Sequence, residues 1–174
     1  MKKKVFLVLI LVFFYSNISA QLRNIRQEID IVTVTDINYF FNTTKGTVSN
    51  GAKLNAQNLK TLTTNVQSSV YCYSNTVNTY GDEPVNLFTD MNTLAQVDNL
   101  VTLKNNIEIV IIKIDNASQL NASINLALLS NFKKLKYIYI VSSITISSNE
   151  IANMITNYDE KYSVFYKIDK GDNQ

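Results

Sequence analysis

The sequence predicts an α/β domain whose mostly parallel sheet has about four to five strands built from repeated helix–strand units. Three observations lead there. Stretches with apolar residues at helical spacing alternate with short β-branched and aromatic runs, the runs recur at a fixed interval, and one of them, "IEIVIIKI" at residues 107–114, is apolar on both sides, as in a sheet covered front and back.

The chain of 174 residues opens with "MKKKVFLVLILVFFYSNISAQ". Lys2 to Lys4, an apolar run from Val5 to Tyr15 and a short polar tail ending at Ala20 have the three parts of an export signal. The apolar run is about half of the ~20 residues that a membrane span requires. Residues 1–20 are therefore expected to be removed, leaving residues 21–174 as one α/β domain with no stable membrane anchor. The leader is similar to those of exported bacterial proteins, Gram-negative ones in particular, which implies a periplasmic or extracellular protein.

Between residues 21 and 45, Leu22, Ile25 and Ile29 suggest a helical turn and "DIVTVTD" a strand, so a short helix passing into a strand is expected. Ala56, Leu59, Leu62 and Val66 mark a helix over 52–66, followed by the strand "SSVYCYSN". Gly81 and the single proline, Pro84, make "NTVNTYGDEPVNLF" a loop. Met91, Leu94, Val97 and Val101 predict a helix within 90–104 that feeds the apolar strand. Leu120, Ile124, Ala127 and Leu128 predict another within 118–132, capped by Ser118 and followed by "KYIYIVSS" at 136–143. In "SSNEIANMITNY", Ser147 and Glu150 have capping-box spacing ahead of Ile151, Met154, Ile155 and Tyr158. The strand "YSVFYKID" closes the pattern at 162–169.

Aligning the strands places Ile112 and Ile114, Ile138 and Ile140, and Val164 and Tyr166 at intervals of 26 residues, with Val70 and Cys72 a longer step earlier. Leu135, Ile138, Ile140 and Ser143 resemble the strand signature of leucine-rich repeats over residues 67–169, which implies a horseshoe that binds partners on its sheet. Asn75 alone supplies the asparagine of that signature; Ala117, Ser143 and Asp169 replace it elsewhere. The competing architecture is an open α/β sheet. If strands follow chain order, right-handed crossovers put the linking helices mainly on one face.

The opposite face then carries Tyr71, Tyr73, Lys113, Tyr137, Tyr139, Phe165 and Lys167. Tyrosine suits an interface and lysine is seldom buried unpaired. Either these residues bind a protein, peptide or glycan, or the tyrosines line a second core under residues 22–41. The first reading makes the protein a non-enzymatic binding or scaffold protein.

Exclusions follow from composition. With no histidine, Ser-His-Asp and Cys-His catalysis and imidazole metal sites are out. Four scattered glycines make no phosphate loop, and no cofactor is expected. Three of the 16 basic residues leave with the leader, and the 13 that remain face 14 acids, so nothing favours nucleic acid. Cys72, the single cysteine, permits no internal disulfide and reads as a buried hydrophobe. The alternative function is a small histidine-free hydrolase or metal-binding enzyme with carboxylates, Asp115 and Asp169, at the strand ends.

Overall fold

The computed structural model describes residues 32–46 and 48–171. The leader and the helical turn expected at residues 22–29 lie outside them. Strand β1 (Val34–Asp36) leads into helices α1 (Ile37–Thr43) and α2 (Asn50–Thr64), then β2 (Ser69–Tyr73), β3 (Thr76–Tyr80) and β4 (Asn86–Asp90). Helix α3 (Val97–Leu100), β5 (Ile109–Ile114), β6 (Ile124–Asn125), β7 (Tyr137–Ser142), α4 (Ser148–Met154), β8 (Ile155–Thr156) and β9 (Ser163–Ile168) follow among the described residues. One seven-stranded sheet has the order β1-β9-β7-β5-β4-β2-β3, parallel throughout except for β3. β6 and β8 pair separately. The mostly parallel α/β class is thus present, with seven strands in place of four to five.

Two of the additional strands come from the segment expected to be a loop. Ser74 and Asn75 have φ of 50° and 62°, the left-handed pair that a two-residue hairpin turn uses because its twist matches the strands. β3 therefore folds back on β2. Gly81, at φ +78°, returns the chain toward β4, and a Cβ there would lie 2.4 Å from the Ser68 hydroxyl. Glycine is required on both counts. Pro84 is buried, and the next amide, that of Val85, donates to the Ser68 carbonyl at 2.9 Å.

The expected helix within 118–132 is replaced by 3-10 turns at Ala117–Asn121 and Leu126–Leu129 flanking β6. Local side chains compete for the backbone. Asn125 accepts from the Ala127 amide at 3.1 Å, and Gln119 from the Asp115 amide at 2.7 Å, so turns win over a continuous helix. Ile124, Leu126 and Leu129 remain buried. Within 90–104 only the 3-10 turn Leu94–Gln96 and α3 are helical, yet Leu94, Val97 and Val101 enter the core as their spacing predicts. At α4 the capping box forms in both directions: the Glu150 amide donates to Ser147 Oγ at 3.2 Å and the Ser147 amide to Glu150 Oε2 at 2.8 Å.

The faces of the sheet follow from the direction in which the strands are laid down. From β2 through β4, β5, β7 and β9 each parallel strand is added beside the last, and the links between β4 and β9 pack on one face. There Val70, Cys72, Leu87, Val110, Ile112, Ile138, Ile140 and Val164 meet Leu94, Val97, Leu126, Leu129 and Ile151. The link from β1 to β2 travels the opposite way across the sheet. A right-handed crossover then has to lie on the opposite face. That is where Ile37 of α1 and Leu59 and Leu62 of α2 pack, against Ile109, Ile111, Tyr137, Tyr139 and Phe165. The expectation of helices mainly on one face is corrected accordingly: α2, the longest helix among the described residues, covers the tyrosine face, and it does so because β1 sits beyond β9 instead of before β2.

Register differs from the 26-residue alignment only by an even step. Ile138 lies beside Val164, 26 residues on, but Val110 lies beside Ile138, 28 residues on. A two-residue shift preserves the face of every side chain. The predicted inward and outward sets are therefore the observed ones.

Candidate functional site

Seven residues were expected to form an aromatic and cationic wall, and they do share one face. Their surroundings divide them. Tyr137, Tyr139 and Phe165 are 2%, 9% and 4% exposed beneath α1 and α2. Phe40 lies 4.9 Å from the Phe165 ring, and the Tyr137 hydroxyl donates to the Asn55 side chain. These three are core residues in this fold. The cover is supplied by residues 37–43 and 50–64, not by residues 22–41 alone, since the crossover to β2 passes over the middle of the sheet. Tyr71 and Tyr73 are half-buried, Lys113 is exposed and Lys167 partly so.

What α2 leaves open is the margin at β2 and β3. Tyr71 stacks on Phe88 with centroids 4.6 Å apart and planes 5° from parallel, while Tyr80 meets it edge-on at 5.5 Å. Tyr80 itself is 62% exposed. A depression of about 570 Å³ is lined here by Val66, Gln67, Ser69, Tyr71, Asn78 and Tyr80. Its walls are rings, a branched aliphatic, two amides and a hydroxyl, with no charged group. Such a lining offers apolar contact together with a few fixed polar partners, the usual composition of a small-ligand site.

The carboxyl ends of the strands form a second exposed strip on the same face. Asp90 is laterally opposite Lys113, Lys113 opposite Val141, and Val141 opposite Lys167. Lys113 is 2.9 Å from Asp115 and Lys167 3.3 Å from Asp169, two exposed pairs between a strand's lysine and the acid just past its end. Pairs of this kind contribute ~0–1 kcal/mol. Burial, then Asp90, Tyr71 and Asp115, push the Tyr73 phenol up to about 12. Burial, then Asp169 and Asp36, do the same for Tyr139. Both phenols are thereby held in the neutral form.

Asp115 and Asp169 directly follow β5 and β9, with β7 between them, so their backbones are roughly 10 Å apart at two strand spacings. Each has its own lysine. Among the described residues no three His, Cys, Asp or Glu side chains gather in a way that could hold a metal ion. Ser143 Oγ donates to the Asp115 carbonyl at 3.0 Å and Ser142 Oγ to the Ile144 carbonyl at 2.8 Å, so both hydroxyls hold the backbone turn after β7. Cys72 is buried, and desolvation followed by Asp90 raises its thiol above the ordinary value.

Comparison with protein families, with curated proteins and with solved structures finds no match. Among the described residues no helix is long and apolar enough to cross a membrane. Sequence reasoning missed Tyr80, Asn78 and Val66 as lining residues. The signal that could have found Tyr80 and Asn78 is "VYCYSNTVNTY", two β-prone runs joined by a two-residue Ser-Asn turn.

Proposed function

We propose that the protein is an exported, non-enzymatic binding protein that holds a neutral glycan in the depression at the β2–β3 margin. The observation that carries this reading is the uncharged lining: exposed Tyr80 and half-buried Tyr71 flanked by the Gln67 and Asn78 amides and Ser69. Sugar rings present apolar C–H faces to aromatic planes and hydroxyls to amides. Tyr73, Lys113 and Lys167 extend the surface along the carboxyl ends of the strands, where parallel α/β sheets bind ligands. The likeness to leucine-rich repeats extends, on this reading, to β5, β7 and β9. These follow one another laterally, linked by short helical turns and by the two-residue strands β6 and β8.

The test is retention on a panel of immobilised neutral glycans and uncharged peptides. Tyr80→Ala and Tyr71→Ala are expected to lower retention of a glycan at least tenfold, a typical cost of losing an aromatic anchor. Asp115→Asn with Asp169→Asn is expected to leave it unchanged. Retention of peptides alone, or hydrolytic turnover abolished by the double Asp substitution, would overturn the proposal.

A further inference from the structure

β3 is an edge strand of the sheet, and its five residues, Thr-Val-Asn-Thr-Tyr, are all exposed. Edge strands normally carry a lysine, a proline, a bulge or a cover that prevents pairing with another chain. β3 has no charge and no proline, its register with β2 runs without interruption from Thr76 to Tyr80, and no element lies beyond it among the described residues. The other edge, β1, is three residues long.

The hairpin fixes which backbone groups face outward. In a two-residue turn the flanking residues, Tyr73 and Thr76, exchange hydrogen bonds, and bonded pairs then alternate along the ladder. Asn78 opposite Tyr71 and Tyr80 opposite Ser69 are thus bonded inward. Val77 and Thr79 direct their N–H and C=O groups away from the sheet.

We infer that β3 pairs antiparallel with β3 of a second copy of this chain, with Asn78 on the two-fold axis. In this register Val77 of each copy meets Thr79 of the other, and both pairs exchange backbone hydrogen bonds. Every outward group within the strand is used. Centring the axis on Val77 would set Thr79 against the turn residue Asn75, and centring it on Thr79 would set Val77 against Gly81. Both waste half of the outward groups. At the Asn78 axis the two amide side chains face each other in a non-bonded pair, the close-approach position of an antiparallel ladder. Thr76 faces the second copy's Tyr80, a β-branched and aromatic pair of the kind that stabilises sheets. Charge adds no obstacle, because Asp82 comes opposite the second copy's Ser74 and no acid faces an acid.

An axis normal to the sheet keeps the same face of both copies on one side. The two β2–β3 depressions then open side by side, so that a repeating ligand could engage both at once. This bivalence rests on the glycan reading given above; the strand pairing does not. Five residues of edge contact make a small interface, of the weak and transient class, so the dimer is concentration-dependent.

Sedimentation velocity of the purified chain over a concentration series reads the association without any ligand. Dimer is expected to grow with concentration in wild type. Val77→Pro deletes an outward N–H while sparing every β2–β3 bond, and is expected to weaken association at least tenfold. Asn78→Lys and Asn78→Asp set like charges against each other on the axis, and each is expected to sediment as monomer, whereas an equimolar mixture of the two regains dimer. Circular dichroism and the melting transition of each variant establish that it is folded. A wild type that stays monomeric at the highest soluble concentration overturns the proposal, as do folded Val77→Pro and Asn78→Lys variants that dimerise like wild type. Failure of glycan retention with the dimer intact would sink the binding reading alone.

Discussion

At Gly81 the backbone occupies a region that side chains avoid, and Ser68 fills the space where a Cβ would sit. Gly81→Ala is expected to destabilise the fold by about 2 kcal/mol or more, read from the urea midpoint. Its effect should concentrate on the β3–β4 return. The tyrosines give a second test at this scale. Tyr139 and Tyr73 hold their protons up to about pH 12, against about 10 in the unfolded chain, so the native state binds more protons in that window. Stability is fully present below pH 10 and falls as pH rises toward 12. Tyr139 contributes on the order of 2–3 kcal/mol to that loss, and Tyr139→Phe should flatten the slope of urea midpoint against pH. Residue-level readings from sequence succeeded where a side chain acts locally: Ser147 and Glu150 cap each other as spaced, and Cys72 is buried. For Tyr137 and Tyr139 they left a binding surface and a second core both open, and the second core is what forms, because what covers a strand is decided by segments far away in the chain.

The cover over the sheet's centre is α2. Ala56, Leu59 and Leu62 are its buried residues, and the Asn86 side chain donates to the Leu62 carbonyl at 2.9 Å, fastening the end of the helix to β4. Leu59→Ala is expected to cost about 2–5 kcal/mol in urea unfolding, as truncation in a closed core does. Hydrogen exchange separates the elements. Amides of β5 and β7, in the middle of the sheet, are expected to exchange slowest, whereas in dilute protein Val77 and Thr79 of β3 exchange fast and Asn78 between them more slowly. Uniformly fast exchange along β3 would mean the hairpin register is wrong. Helix α2 and the β5, β7 and β9 strands were legible because their apolar periods are long and regular. The β3–β4 segment was not, since Gly81 and Pro84 punctuate a hairpin and a buried return as readily as a loop. The 118–132 stretch misled for a related reason: apolar spacing is shared by a helix and by two tight turns around a two-residue strand.

Across the molecule, direction of strand addition accounts for the division of the tyrosine face. The order β2, β5, β7, β9 matches the chain order on which the single apolar face was argued, whereas β4 between β2 and β5 was not anticipated. Nor was the placing of β1 beyond β9, because no local pattern encodes which distant edge a three-residue strand joins. That single placement reverses one crossover, lays α1 and α2 over Tyr137, Tyr139 and Phe165, and leaves the β2–β3 margin open. The candidate site was therefore legible as a face but not as a part of that face.

The same placement governs the order of events in synthesis. β1 has β9 as its sheet neighbour, so Val34 has no lateral partner until Val164 has emerged. A nascent chain made from its amino end carries β1 without that neighbour until Ser163–Ile168 has been made. The β1–β9 ladder therefore forms late in synthesis, after β2, β4, β5 and β7 are already present in the chain.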